Sequence, residues 1–202
     1  MPEKLTLDSP LQFACHPGVS CFTACCHNIQ IVLTPYDIMI LRKRLNMTAH
    51  DFIVQYTEPA YLEKTDMPGV QIKLTEEKNA CPFVTPDGCT VYEDSPTACR
   101  YYPVGMDDFH EGGEEGVDSE RFFFVVKEPH CKGHGLGQGQ TVREWVRDQE
   151  LIDCNEINDQ LVEIISLKNQ HIAGPLDLRQ RHLFHLALYD IDRFRDHIFK
   201  KG

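Results

Sequence analysis

Residues 15–26 read CHPGVSCFTACC, four thiols in twelve residues. This stretch decides how the rest of the chain is read. Pro17, Gly18 and Ser20 let the backbone fold back on itself, so side chains from Cys15, Cys21, Cys25 and Cys26 can converge. A second group follows within nineteen residues, Cys81, Cys89 and Cys99, and Cys131 stands in a glycine-rich stretch. The ninth cysteine, Cys154, lies alone in a helical context and reads as a buried apolar thiol. Clustered thiols imply disulfides or a metal centre. At 202 residues the chain can bury a real core without disulfides. The first residues carry neither an apolar signal core nor an arginine-rich transit pattern, so a cytoplasmic, reducing location is expected, where clustered cysteines bind metal.

No stretch has the eighteen or more apolar residues of a membrane span, so no membrane partner is expected. The formal charge of −11 argues against nucleic acid, whose phosphates need clustered Lys and Arg. Thiolates around divalent ions would add further negative charge, which directs attention to Arg100 beside Cys99. Its guanidinium is expected either to donate to a thiolate sulfur or to pair with a carboxylate.

Thiolates bind zinc at about 2.3 Å in a roughly tetrahedral shell, and turns bring neighbours to one point. Cys81-Pro82 and Asp87-Gly88-Cys89 sit at such turns. Adjacent side chains diverge, so Cys25 and Cys26 more readily serve two metals, or two corners of a polynuclear cluster, than one ion. Cys15, Cys21, Cys25, Cys26, Cys81, Cys89, Cys99 and Cys131 therefore form the expected metal-ligand set, as two four-thiolate sites or one multinuclear centre. His16, His27, His130 and His134 flank cysteines; His130 is the best placed to replace a thiolate. Zinc and iron both suit all-thiolate sites, as does an iron–sulfur cluster.

Gly133, Gly135, Gly137 and Gly139 invite a dinucleotide-loop reading, but the third glycine of that pattern would fall at Gln138 or Gln140. Gly133 and its neighbours are read instead as allowing backbone N–H groups to approach sulfur. No serine–histidine–acid or paired-carboxylate arrangement appears, so no catalytic residue is assigned and enzymatic activity is left open.

Local signals give an α+β class. Its irregular, cysteine-rich, metal-organised core has short strands and is surrounded by helices, with an amphipathic helix at the C-terminal end. Thr34-Pro35 with Asp37 starts a helix whose apolar face is Ile38, Leu41 and Leu45. Thr48 with Asp51 starts another, carrying Phe52, Ile53 and Tyr56 and closed by Glu58-Pro59. Alternation at Val70, Ile72 and Leu74, and the turn Thr85-Pro86-Asp87-Gly88, predict short strands between Gly69 and Pro103. The acidic run from Asp107 to Glu120 reads as a solvated hairpin tip, without EF-hand spacing for calcium, and Phe122 to Val126 as a buried strand. Thr141 and Glu144 box the start of a helix packing through Val142, Trp145 and Val146. Asn155 to Leu167 is a further helix. After Gly174-Pro175 one last helix is expected, with Phe184, Leu188, Ile191, Phe194 and Ile198 on its apolar face. That face packs on the body, or meets a protein partner. Residues 1–140 are expected to be a metal-binding domain and 141–202 a helical extension on it.

The ordered set Cys15, Cys21, Cys25-Cys26, Cys81-Pro82-Phe83, Cys89 with Val91-Tyr92, Pro96 with Cys99-Arg100-Tyr101-Tyr102-Pro103, and Cys131-Lys132-Gly133 resembles the cysteine-cluster family of zinc- or iron-chelating domains. It is similar also to the cysteine-rich domain of flagellin lysine N-methylases. The resemblance spans about residues 13–140. It differs from the family pattern in its wider first gaps, five and three residues, and in Ser95 before Pro96. The resemblance implies metal binding through the cysteines, and no particular reaction. Two other classes stay open beside a plain metal-binding protein: an iron–sulfur redox or methyltransferase-associated enzyme, and a metal-scaffolded adaptor.

Overall fold

The computed structural model describes residues 3–108 and 121–199, except 64, 66 and 173. In chain order the elements are β1 (Pro10–Phe13), β2 (Val32–Leu33), α1 (Pro35–Arg44), α2 (Ala49–Tyr56), β3 (Thr57–Leu62), β4 (Met67–Ile72), β5 (Val84–Thr85), β6 (Gly88–Cys89), α3 (Thr97–Tyr101), β7 (Val104–Asp108), β8 (Arg121–Val125), β9 (His134–Thr141), α4 (Val142–Asp148), α5 (Leu151–His171), α6 (Leu178–Leu188) and α7 (Ile191–Phe199). The class is α+β, with short antiparallel strands.

Two apolar cores organise these pieces. In the first, Phe52 is fully enclosed by Ile31, Leu33, Ile38, Leu41, Val70 and Ile72. The helix starts that build it follow their sequence signals. Thr34 caps α1 by accepting from the Asp37 N–H, while Asp37 accepts from the Thr34 N–H. Thr48 caps α2 in the same way through the Asp51 N–H. Instead of ending at Glu58-Pro59, the chain passes directly from α2 into β3. Proline is tolerated there because β3 is the edge of the sheet β2-β4-β3. The hairpin β5–β6 turns at Pro86-Asp87, as the turn residues predict.

In the second core Leu11 and Phe13 pack with Tyr101, Val104, Phe123, Val142, Val146 and Leu151. The glycine-rich stretch is a strand, β9, paired with β1 rather than a loop. β7 pairs with β8, and the run between them, residues 109–120, lies outside the described residues. Within β8, Phe123 is buried while Phe122 and Phe124 are half-buried. Thr141 and Glu144 form the expected capping box of α4.

Two helices depart from expectation. α5 is longer than Asn155–Leu167, and within it only Leu151 and Cys154 are buried among the described residues. The last helix is two helices, α6 and α7, broken at Tyr189-Asp190. There Asp190, itself buried, accepts from His50 on α2 and lets α7 restart with the Phe194 N–H bonded to its carbonyl. Tyr189, Phe184 and Leu188 join the Phe52 core. Among the described residues no helix is long and apolar enough to cross a membrane.

Candidate metal centre

All nine cysteines are free thiols. The first segment, between β1 and β2, has little regular structure. Successive short-range bonds carry it round: Val19 N–H to His16, Phe22 to Val19, Ala24 to Cys21 and Cys26 to Thr23, each at 2.9–3.0 Å. Thr23 takes a left-handed φ of 67° just before Cys25. Buried Val19 anchors the loop.

Cys15 comes next to Cys131 because β1 runs beside β9. Beyond their last pair the Ala14 N–H reaches the Gly133 carbonyl at 3.1 Å. Only glycine fits at Gly133: a Cβ there would lie 2.5 Å from the Ala14 oxygen and 2.7 Å from the Phe13 ring. The backbone N–H that approaches sulfur belongs to its neighbour, Lys132, which donates to Cys21 Sγ at 3.1 Å. Gly133 therefore permits the contact through close packing of the two strands.

Cys26 and Cys81 are joined by backbone, the Cys81 N–H donating to the Cys26 carbonyl at 2.8 Å. β5–β6 then returns the chain so that Cys89 lies opposite Val84. The Phe83 N–H donates to the Cys81 sulfur and the Val91 N–H to the Cys89 sulfur, two residues on in each case. Such bonds favour thiolate over thiol. Cys81 is itself buried and packs in the Phe52 core, with Cys26 and Cys89 against it. Cys99 sits on α3, whose first residue is held by Asp37. Thr97 donates to Asp37 Oδ1 through N–H at 2.8 Å and through its hydroxyl at 2.6 Å. That buried carboxylate thus ties the starts of α1 and α3 together, a role that the helix-start signal alone did not reveal.

The sulfur atoms crowd one another. Burial, then Cys25, Cys21 and Cys131, push the Cys15 thiol up to about 11. Cys25 and Cys26 share a hydrogen bond. It holds Cys25 down to about 7 and drives Cys26 far up. Burial raises Cys81, Cys89 and Cys99 as well, and neighbouring cysteines add to it. Solvent reaches the residue at Cys99, yet the protein packed around its sulfur still disfavours the thiolate. A cation among these sulfurs would reverse the penalty, since each thiolate gains a counter-charge. The donors fit a thiophilic metal: soft sulfur from three chain regions, with N–H groups already aimed at Cys21, Cys81 and Cys89. Among the described residues no three His, Cys, Asp or Glu side chains are already posed around one point for an ion.

The other expected residues lie as follows. Arg100 donates to the backbone carbonyls of Glu93 and Glu150, and its guanidinium is 3.6 Å from the Glu150 carboxylate. The sulfur it meets is Cys154 Sγ, at 3.8 Å. Cys154 is buried, as expected for an apolar thiol. His16 accepts from the Gly18 N–H, His27 contacts the Thr23 carbonyl, and His130 is exposed. His134 stacks on Phe13 at 5.3 Å and its Nε2 is buried without a partner. The reading of the sequence missed Tyr102. Burial first, and Cys131 second, push its phenol up, and its hydroxyl is buried without a partner in full hydrogen-bond geometry. The signal was present in the Cys-Arg-Tyr-Tyr-Pro run, which gives no hint of which tyrosine faces a sulfur.

Residues 14–132 match the model of the CxxCxxCC family, described as "Putative zinc- or iron-chelating domain". The match covers more than half of the chain and includes all eight clustered cysteines. No curated protein and no solved structure matches the chain.

Proposed function

Because the chain belongs to the CxxCxxCC family of zinc- or iron-chelating domains, we propose that it binds zinc or iron through Cys15, Cys21, Cys25, Cys26, Cys81, Cys89, Cys99 and Cys131. The observation that carries this reading is the Lys132 N–H donating to Cys21 Sγ at 3.1 Å, which joins two distant cysteine-bearing segments at a sulfur. Fixed donors around sulfur are what an all-thiolate site needs to offset its negative charge. The metal supplies the positive charge that lets crowded thiols ionise together. The chain's own residues shape a site, shield it against the Phe52 core, and hold its loops in register. Free thiols throughout are consistent with a reducing, cytoplasmic setting.

A bound structural zinc is worth on the order of 10–16 kcal/mol at neutral pH, comparable to the whole net stability of a domain. Serine at Cys25 or Cys81 is therefore expected to lower bound metal and melting temperature together. Elemental analysis of anaerobically purified, untagged protein, with thermal unfolding of the same samples, checks this. An unchanged metal content in both variants would remove those two residues from the site.

A further inference from the structure

Two cysteines far apart in the sequence face each other across a short antiparallel bridge. His27 pairs with Ala80 there, the Asn28 N–H donating to the Asn79 carbonyl and the Cys81 N–H to the Cys26 carbonyl, both at 2.8 Å. The register that sets His27 opposite Ala80 sets Cys26 opposite Cys81, one step along each segment. At the other end the Asn79 side-chain amide donates to Asn28 Oδ1 at 2.8 Å and fastens the bridge. Residues opposed in this way lie about 5.5 Å apart at Cα, within the range that a disulfide spans. Pairing stops at the cysteines: the Cys26 N–H turns back to Thr23, and the Cys81 carbonyl accepts from Val84. The two side chains therefore stand at a free end of the bridge, where small backbone rotations bring the sulfurs together. Cys81 is buried in the Phe52 core, and half-buried Cys26 packs against it. Cys25, which shares a hydrogen bond with Cys26, is the rival partner. Consecutive Cα atoms are about 3.8 Å apart across a trans peptide, short of the roughly 4.4 Å at which the disulfide range begins. A bond between neighbours is strained, and one across the bridge avoids that strain.

We infer that Cys26 and Cys81 are a redox-sensitive pair, closed to a disulfide by hydrogen peroxide and reopened by a thiol reductant. In the first step the Cys26 sulfur, the one that solvent reaches more readily, attacks the peroxide. An S–O bond forms, the O–O bond breaks and one water leaves. The Cys81 sulfur then attacks that of Cys26: the S–S bond forms, the S–O bond breaks and a second water leaves. The two thiols give up two electrons and their protons, which reduce the peroxide to water. A transient disulfide of this kind suits a reducing compartment, where lasting ones are rare. Closure stands on the bridge alone; its consequence rests on the metal-binding reading above. There the new bond withdraws two thiolates from the ligand set at once, so oxidation is coupled to release of metal.

The experiment uses the full chain purified without oxygen or chelator and treated with a stoichiometric amount of hydrogen peroxide. Remaining thiols are alkylated, and mass spectrometry of the digest identifies the linked pairs. A Cys26–Cys81 peptide should predominate, with a loss of about two thiols per chain that dithiothreitol restores. Metal released to a chromophoric chelator should rise in step with that link. Cys26 joined to Cys25, Cys89 or Cys99 instead, or carried to sulfinic acid without a partner, would overturn the pair. Metal retained by the linked protein would overturn the coupling. A chain that forms the link yet holds no metal, and takes up none from added zinc or ferrous iron, would keep the pair and count against the metal-binding reading. Cys81→Ser sharpens the result, since Cys26 should then pass to sulfinic acid. A different disulfide from Cys26 in equal yield would show that Cys81 is not its particular partner.

Discussion

Around Phe52 the sulfur of Cys81 is one more apolar group in a core built by α1, α2 and the sheet β2-β4-β3, whereas around Phe13 the sulfurs project from loops that the core only borders. In the first region the fold supplies the place for the thiols, and a protonated Cys81 can remain buried as a small hydrophobe. In the second region Cys15, Cys21 and Cys131 are brought together by a strand pair and by single backbone bonds. The difference teaches that one metal-binding domain can prepare one set of ligands by packing and another by close approach of backbone.

The largest test of that contrast is Phe52→Ala. Phe52 is 0% exposed and belongs to the core that α1, α2 and the sheet share. Its loss should cost about 3–5 kcal/mol, read from urea unfolding, and should loosen the metal bound by the Cys26, Cys81 and Cys89 group. A cost under about 1 kcal/mol would mean that metal, rather than packing, positions these thiols. A smaller effect is expected from Gly133→Ala. The added methyl meets the Ala14 carbonyl and the Phe13 ring, and overpacking of this kind costs about 1–3 kcal/mol. Here the loss of metal should exceed what the loss of stability alone would give, because Gly133 permits the contact of Lys132 with Cys21. A loss of metal no greater than the loss of stability accounts for would erase the contrast between the two regions.

Much of the Phe52 region was legible in the sequence because its signals are local. Thr34 with Asp37, Thr48 with Asp51, and the turn at Pro86-Asp87 each act within three or four residues, and all appear where the spacing puts them. The Phe13 region was harder to read. Its ladder joins β1 to β9 across more than a hundred residues, and alternating glycines carry no hydrophobic period to announce a strand. The break between α6 and α7 escaped for a related reason. Phe184, Leu188, Ile191 and Ile198 keep helical spacing across it, and the break rests on buried Asp190 meeting His50, a partner 140 residues away. In the candidate site the turns that carry Cys81 and Cys89 could be read. Which sulfur receives which N–H could not, because Lys132 reaches Cys21 only once two distant segments have met. Arg100 shows the same limit: its place beside Cys99 in the sequence says nothing of the Glu150 carbonyl and Cys154 that it meets.

The smallest predicted effect concerns pH, and it separates the two regions by a group that binds no metal. His185 on α6 stacks against Tyr189 of the Phe52 core at 5.6 Å. Burial holds its imidazole below the ordinary 6.5; Asp190 opposes that shift and His182 adds to it. Asp190 is engaged by His50 at 3.0 Å and faces Arg193 at 3.8 Å, so His185 is one of several groups around its carboxylate. The folded state therefore takes up the His185 proton less readily than the unfolded chain. Stability contributed by neutral His185 is complete above pH 6.5 and is lost as the pH falls through that value toward the lower folded one. His185→Gln removes this dependence, so its melting temperature should decline less than the parent's between pH 7 and about 5.5. Acid also strips metal from thiolates, which is why the informative quantity is the difference between variant and parent at each pH. Amide exchange should register that difference in α6 and α1 and leave the β1–β9 pair unchanged. Equal slopes in variant and parent would show that protonation of His185 does not weaken the Phe52 core, and that the acid response of both regions comes from the thiols.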